Sequence, residues 1–173
     1  MRTDSVQVFR YTPDGREFFF ARQLDGIGTI HHSVLGPDGW SDPVPLDVYG
    51  GSARSLAVDM AVSPDGDSLY FLGQHPHPGA PVDPTTDIWV SRRVDGKWST
   101  AEVVPAPVST AAEELYPVVV ADGSLYFSSD RDNDGIPDGV EDANHNGSWD
   151  IGSETNGQVT DTDRDGIADG NED

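Results

Sequence analysis

Along the first 129 residues, apolar side chains alternate with polar ones in short runs, and an Asp-Gly pair repeatedly separates one run from the next. YTPDGREFFFAR (11–22), VSPDGDSLYFLG (62–73) and VVADGSLYFSSD (119–130) share one layout: an apolar run, an Asp-Gly turn and an aromatic run. Alternation with a period of two puts successive side chains on opposite faces of a strand, and Asp-Gly supplies the backbone angles of a tight hairpin turn. Each copy therefore predicts a β-hairpin. The following half repeats too. Ile30 precedes Trp40-Ser41 by ten residues and Ile88 precedes Trp98-Ser99 by the same ten, with Gly-Pro-Asp-Gly and Asp-Gly-Lys turns between. The unit is four short strands over roughly 50–58 residues.

Four-stranded units at this period read as blades of a β-propeller. The succession SPDG, LYF, DIWVS, DGKWS, EELYP and DGSLYFSSDR resembles the TolB-like propeller repeats, relatives of the WD-type blade, over nearly all of 4–129. That gives two full blades, at about 4–50 and 55–108, and the first half of a third at 112–129. Propellers close with about four to eight blades, so two and a half cannot close. The expectation is a fragment of a longer protein, because the N-terminus enters directly into a strand and the C-terminus stops just after an acidic loop. Association of chains and an open stack are the alternatives. The resemblance implies a protein or glycan partner for the propeller.

At Asp130 the alternation gives way to acidic loops. In DRDNDGIPDGVE, Asp130, Asp132, Asp134, Asp138 and Glu141 stand at loop positions 1, 3, 5, 9 and 12, with Gly135 at 6. This fits the D-x-[DN]-x-[DN]-G-x5-E pattern of calcium loops. Calcium takes six to eight oxygens at about 2.3–2.6 Å, and alternate acids on a sharply turning loop can point inward together. The glycine allows the bend, the Ile136 carbonyl adds a main-chain oxygen, and Glu141 closes the site. DTDRDGIADGNE repeats the pattern with Asp161, Asp163, Asp165, Gly166, Asp169 and Glu172, and with Ile167 at the carbonyl position. A degenerate copy between them carries Asp142, Asn144, Asn146, Gly147 and Asp150, with Ser153 at position 12. The competing reading is a solvated acidic linker, which composition alone would favour. Magnesium fits less well, since it prefers fewer protein ligands in a stricter octahedron. EF-hands are excluded: Pro137 and Gly139 fall inside the first loop, and no amphipathic stretch flanks any copy.

DRDNDGIPDGVEDANHNGSWD followed by DTDRDGIADGNED resembles the bacterial form of the thrombospondin type 3 repeat, over 130–173. That resemblance implies tandem loops wrapped around a string of calcium ions with almost no apolar core. It implies ligand roles for the acids of the two full loops. The chain departs from the animal repeats in having no cysteines, and from the bacterial pattern at SETNG (153–157). Ile136, Val140, Trp149, Ile151, Val159 and Ile167 are the only large apolar residues of the tail. They are too few to offset an ordering entropy of about 1–2 kcal/mol per residue, so metal binding must supply folding free energy. The tail is expected to be extended without calcium and ordered with it.

Charge and composition narrow the function further. Net charge is −21, and residues 130–173 hold 14 acids against two arginines, a net of −12. Such a balance repels phosphate backbones and makes nucleic acid an unsuitable partner. No window approaches the roughly 18 apolar residues of a membrane span. The opening residues MRTDSVQVFR hold no apolar stretch like that of a secretory signal, and calcium abundance with family resemblance points to the extracellular space or the cell envelope. The absence of cysteine excludes disulfides and thiol chemistry.

His75 and His77 form an H-x-H pair on a Pro-rich loop with no third ligand near in sequence. His31 and His32 are strand neighbours and face opposite sides, so they cannot readily share a metal. Trp40, Trp89, Trp98, Tyr70, Phe71, Tyr126 and Phe127 suit packing between blades better than sugar stacking, because they recur at equivalent repeat positions. Glu113, Glu114 and Asp87 are the one conceivable carboxylate set, and nothing in the sequence places them together. No nucleophile elbow, metalloprotease helix, Walker loop or dinucleotide fingerprint occurs. The sequence thus predicts an all-β, non-enzymatic protein: a partial propeller at 4–129 and a calcium-ordered, irregular acidic tail at 130–173; the alternatives are a propeller that recognises a protein or glycan, and the accessory propeller of a hydrolase whose catalytic domain lies outside this chain.

Overall fold

The computed structural model describes residues 4–24, 27–50, 56–74 and 85–130, and every regular element among them is a β-strand. β1 (Asp4–Tyr11), β2 (Glu17–Leu24) and β3 (Ile27–Gly36) form an antiparallel sheet, and the short β4 (Gly39–Trp40) and β5 (Val44–Pro45) both pair with β3. β6 (Leu56–Val62), β7 (Ser68–Gln74) and β8 (Asp87–Val94) repeat this, with β9 (Lys97–Trp98) and β10 (Glu102–Val103) both on β8. β11 (Glu113–Val119) and β12 (Leu125–Asp130) form a hairpin. None of the described elements is a helix long and apolar enough to cross a membrane.

The fourth strand of each sheet is broken in two, and the serine of the repeated Trp-Ser pair accounts for the break. The Ser41 hydroxyl accepts the Val34 amide at 3.1 Å and donates to the Asp42 carbonyl at 3.2 Å. Ser99 does the same with Arg92 at 3.1 Å and Thr100 at 2.9 Å. A side chain thereby takes over ladder bonds that backbone would otherwise make. Ser33 and Ser91 bind the carbonyls of Ser41 and Ser99, each at 2.7 Å.

The Asp-Gly turns also repeat in detail. The Thr12 hydroxyl donates to Asp14 at 2.6 Å and accepts the Glu17 amide at 2.9 Å, while Asp14 accepts the Arg16 amide at 3.0 Å. Ser63, Asp65, Asp67 and Ser68 copy this set. The third turn has Val120 where the others have a hydroxyl, and it keeps only the aspartate cap, Asp122 on the Ser124 amide at 2.8 Å. Gly15, Gly66 and Gly123 each take a positive φ there, which glycine adopts without strain.

The first strand of each unit carries a β-bulge at one repeated position. Val8, Asp59 and Tyr116 have φ of 48°, 45° and 53°, and the register slips beside each of them. A bulge inserts an unpaired residue, so side chains three apart share a face. Ala57 and Met60 are both buried in this way, as are Glu114 and Pro117.

The sheets stack face to face, and the core lies between the first two. Phe19, Ala21 and Ile30 of the first pack on Met60, Leu69, Phe71 and Trp89 of the second, all between 0% and 4% exposed. Fully burying a side chain such as Phe19 or Phe71 contributes roughly 1.5–3 kcal/mol. Tyr49, on the connection between the sheets, meets Phe71 and Trp89 edge-on at 6.0 and 5.5 Å. Gly73 makes room for it, since a Cβ there would lie 2.6 Å from the Trp89 ring. At the edge of the same interface, Arg93 grips Glu17 with two bonds of 3.1 Å, and the Trp98 indole donates to Glu17 at 3.2 Å. Arg93 also lies 4.4 Å over the Trp98 ring. The hairpin stacks on the other side of the second sheet, its Glu114 amide donating to the Thr86 carbonyl at 3.0 Å.

Candidate interaction face

In β2 the core-facing residues are Phe19 and Ala21, so Phe18, Phe20 and Arg22 point the other way. Register places Phe18 beside Tyr11 of β1, and Phe20 between Phe9 of β1 and His31 of β3. The rings form a ladder. Phe9 stacks on Phe18 at 5.6 Å with planes 5° apart, and Tyr11 lies 4.9 Å from Phe18. Phe18 and Phe20 are 5.6 Å apart, and His31 stacks on Phe20 at 5.3 Å. Trp40 meets Tyr11 and Phe18 edge-on. The face is open: Val6, Phe9, Tyr11 and Trp40 are 49%, 54%, 58% and 46% exposed. A groove of about 500 Å³ runs beside it, lined by Val6, Phe20, Arg22, His31 and Pro43.

The second sheet carries the same face in a different setting. Counting from the matched turns, Phe9, Phe18, Phe20 and His31 correspond to Met60, Leu69, Phe71 and Trp89. Those four are the residues the first sheet covers. The same positions are open on the first sheet and buried on the second. The opposite end of the stack is open as well, with Val118 and Tyr126 of the hairpin 52% and 62% exposed.

Sequence reasoning set aside the one carboxylate set that the structure does bring together. Glu114 has no exposure and Asp87 only 2%. Glu114 accepts the Thr110 amide at 3.1 Å and the Thr110 hydroxyl at 2.6 Å. Burial, the largest influence, pushes its carboxyl above the usual range, and the adjoining, hydrogen-bonded Asp87 pushes the same way, against the Thr110 bonds. The two residues belong to different repeat units and share no spacing pattern, which is why the sequence could not join them.

Another group of charges gathers at the turns. A cleft of about 360 Å³ between the first two Asp-Gly turns is lined by Asp14, Arg16, Glu17, Asp65, Asp67 and Arg93 among others. Hydrogen bonds from Thr12 and Ser63 hold Asp14 and Asp65 below the usual carboxylate range. His31 and His32 do face opposite sides: His32 stacks on Phe19 at 6.1 Å, and burial lowers its pKa. Trp89 and Phe71 pack between sheets as expected, whereas Trp40 and Tyr126 lie on the two open faces. Among the described residues, no group of three or more His, Asp or Glu is placed to hold a metal.

Of the expected calcium ligands, Asp130 alone is described. It ends β12 opposite Glu113 and is 4% exposed. Asp132, Asp134, Ile136, Asp138, Glu141, Asp142, Asn144, Asn146, Asp150, Asp161, Asp163, Asp165, Ile167, Asp169 and Glu172 lie outside the described residues, as do His75 and His77.

Comparison with protein-family models and with the curated proteins gave no match. Among solved structures, the chain is similar to a prolyl endopeptidase, with a TM-score of 0.48 and 18% identity over 73% of this chain and 19% of that one. It is also similar to TolB from Acinetobacter baumannii, with a TM-score of 0.47 and 17% identity over 78% of this chain and 29% of that one. The chain therefore spans less than a third of the length of either structure.

Proposed function

We propose that this chain is a non-enzymatic recognition module of the propeller type that binds a protein through the aromatic face of its first sheet. The observation that carries this reading is the contrast between matched positions: Phe9 is 54% exposed where Met60 is fully buried, within one repeated architecture. Aromatic residues are enriched at the centres of protein interfaces, where they supply most of the binding energy. A protein suits the face better than a sugar does. The rings stack on one another and present edges and apolar rims, rather than one free flat platform. The buried carboxyl pair supports a non-catalytic role, since Glu114 and Asp87 are sealed from any substrate.

The test is affinity capture from extracellular and envelope fractions, with the wild type and with Tyr11→Ser/Trp40→Ser as bait. Both residues are half-exposed, so the variant keeps its fold. A bound species lost in the variant is expected, and identical profiles from the two baits would overturn the reading.

A second reading concerns the tail and rests on spacing: two acidic loops, at 130–141 and 161–172, share six matched positions. This supports calcium as a structural ion that stiffens residues 130–173 in an extracellular or cell-envelope setting, where modules of this kind bind at about 10⁻⁴–10⁻³ M. Asp130, the first position of the first loop, is the last residue of β12. Calorimetry at millimolar calcium is expected to show binding that Asp132→Ala and Asp163→Ala each weaken. No heat of binding, or no change in either variant, sinks this second reading.

A further inference from the structure

We infer that Asp95 is a site of spontaneous modification: its side-chain carboxyl closes on the amide of Gly96 and reopens as isoaspartate, ahead of the other Asp-Gly pairs of the described residues. The consequence falls on the grip that holds the first two sheets together.

The reaction is self-contained. The Gly96 nitrogen attacks the carboxyl carbon of the Asp95 side chain. An N–C bond forms, and the carboxyl hydroxyl leaves as water with the amide proton. The five-membered imide then takes up water. Opening at the side-chain carbonyl returns aspartate, whereas opening at the main-chain carbonyl leaves the chain running through the side chain, one methylene longer. Two conditions decide where this happens. The amide must be free of hydrogen bonding, and the carboxyl must be able to take a proton, because hydroxide leaves and oxide does not.

The described residues hold Asp-Gly pairs at Asp14, Asp38, Asp65, Asp95 and Asp122. Three of them fail on both counts. The amides of Gly15, Gly66 and Gly123 donate to the carbonyls of Thr12, Ser63 and Val120 at 2.8, 2.9 and 2.9 Å. Hydrogen bonds from the Thr12 hydroxyl, the Ser63 hydroxyl and the Ser124 amide keep the carboxyls of Asp14, Asp65 and Asp122 below the usual pKa range.

Asp38 fails on the first count. Its loop is Pro37 and Asp38, so Gly39 lies in the ladder, facing Gly36. The Ser41 amide bonds the Val34 carbonyl at 2.9 Å, and bonded pairs alternate along an antiparallel ladder, so the next one is Gly39 with Gly36. In the second sheet Val94 pairs with Lys97, which moves the motif by one place. Asp95 and Gly96 are themselves the loop. Their φ values of 49° and 74° are those of a type I′ turn, whose closing bond is made by the residue after the glycine. The Gly96 amide is thereby left to solvent, and both residues are exposed. No hydrogen bond from the described residues reaches the Asp95 carboxyl.

The same turn sets Arg93 against Trp98, and both of these hold Glu17. An extra methylene in a two-residue loop disturbs the register of that pair and loosens the contact between sheets.

The experiment ages the full chain in heavy-oxygen water at mildly acid pH and maps its peptides by mass spectrometry. Each imide that reopens takes up one heavy oxygen. Asp95 is expected to convert about fivefold or more faster than Asp14, Asp38, Asp65 or Asp122, the factor that one retained hydrogen bond supplies. That lead should vanish in urea. Asp95→Asn and Asp38→Asn have no carboxyl to ionise, so they compare the two amides alone, and the first should convert the faster. The aged chain should unfold at lower urea than the fresh one. Asp95→Gly keeps a turn of two glycines and should hold its midpoint through the same treatment. Equal rates at Asp38 and Asp95, or a lead that persists in urea, would overturn the site. A chain converted at Asp95 yet as stable as the fresh one would overturn its consequence for the sheets.

Discussion

Glu114 ties the hairpin to the second sheet through a group that solvent does not reach. Its raised pKa has a definite thermodynamic sign. The folded protein keeps a proton that the unfolded chain releases once pH passes the ordinary value of 4.5. Stability from this group is therefore full below that value, and is lost as pH rises through the raised folded pKa. Asp14, Asp65 and Asp122 act in the opposite sense: their pKa values are lowered, so their contribution is lost as pH falls. Glu114→Gln leaves those three untouched and removes the proton release. Urea unfolding at a series of pH values above 4.5 should show a declining stability in the wild type and a flatter profile in the variant. Parallel profiles would assign the decline to other groups. At this scale the sequence was read correctly where neighbours decide the outcome, as with His31 and His32 on opposite faces. It could name Asp87 and Glu114 as a conceivable set and not bring them together, because only tertiary packing joins them.

At the scale of elements, the repeated strands and turns were legible because Asp-Gly and Trp-Ser each carry a local hydrogen-bond set. What escaped was the contact between elements. Glu17 is the first residue of β2 and Arg93 lies near the end of β8, and no periodicity relates them. Their ion pair is partly sheltered, at 15% and 21% side-chain exposure, and Trp98 caps it by hydrogen bond and ring face. Charge-assisted, bidentate pairs of this kind are among the stronger polar contacts. Glu17→Gln should lower unfolding free energy by about 1–3 kcal/mol, measured by urea denaturation. A cycle that adds Arg93→Met should show clear coupling between the two positions. A change of a few tenths of a kcal/mol, with additive effects, would mean that solvent screens the pair and apolar packing alone holds the sheets.

For the molecule as a whole, the all-β stack of repeated sheets was legible from the period of the repeat. Which residues stand on its open faces was not. Trp40 and Tyr126 look like Trp98 and Tyr70 in sequence, and differ from them only in lacking a neighbouring sheet. The bulges at Val8, Asp59 and Tyr116 were also hidden, since a reading by strict alternation has no place for a stride of three. That stride bears on how such chains change over time. Exchange of segments between units keeps every apolar side chain on its proper side only if both cut points lie on the same side of the bulge. A crossover that skips or doubles that one residue would turn half a strand inside out. Lineages built from this unit should therefore gain and lose whole repeats, with their junctions gathered in the connections between sheets.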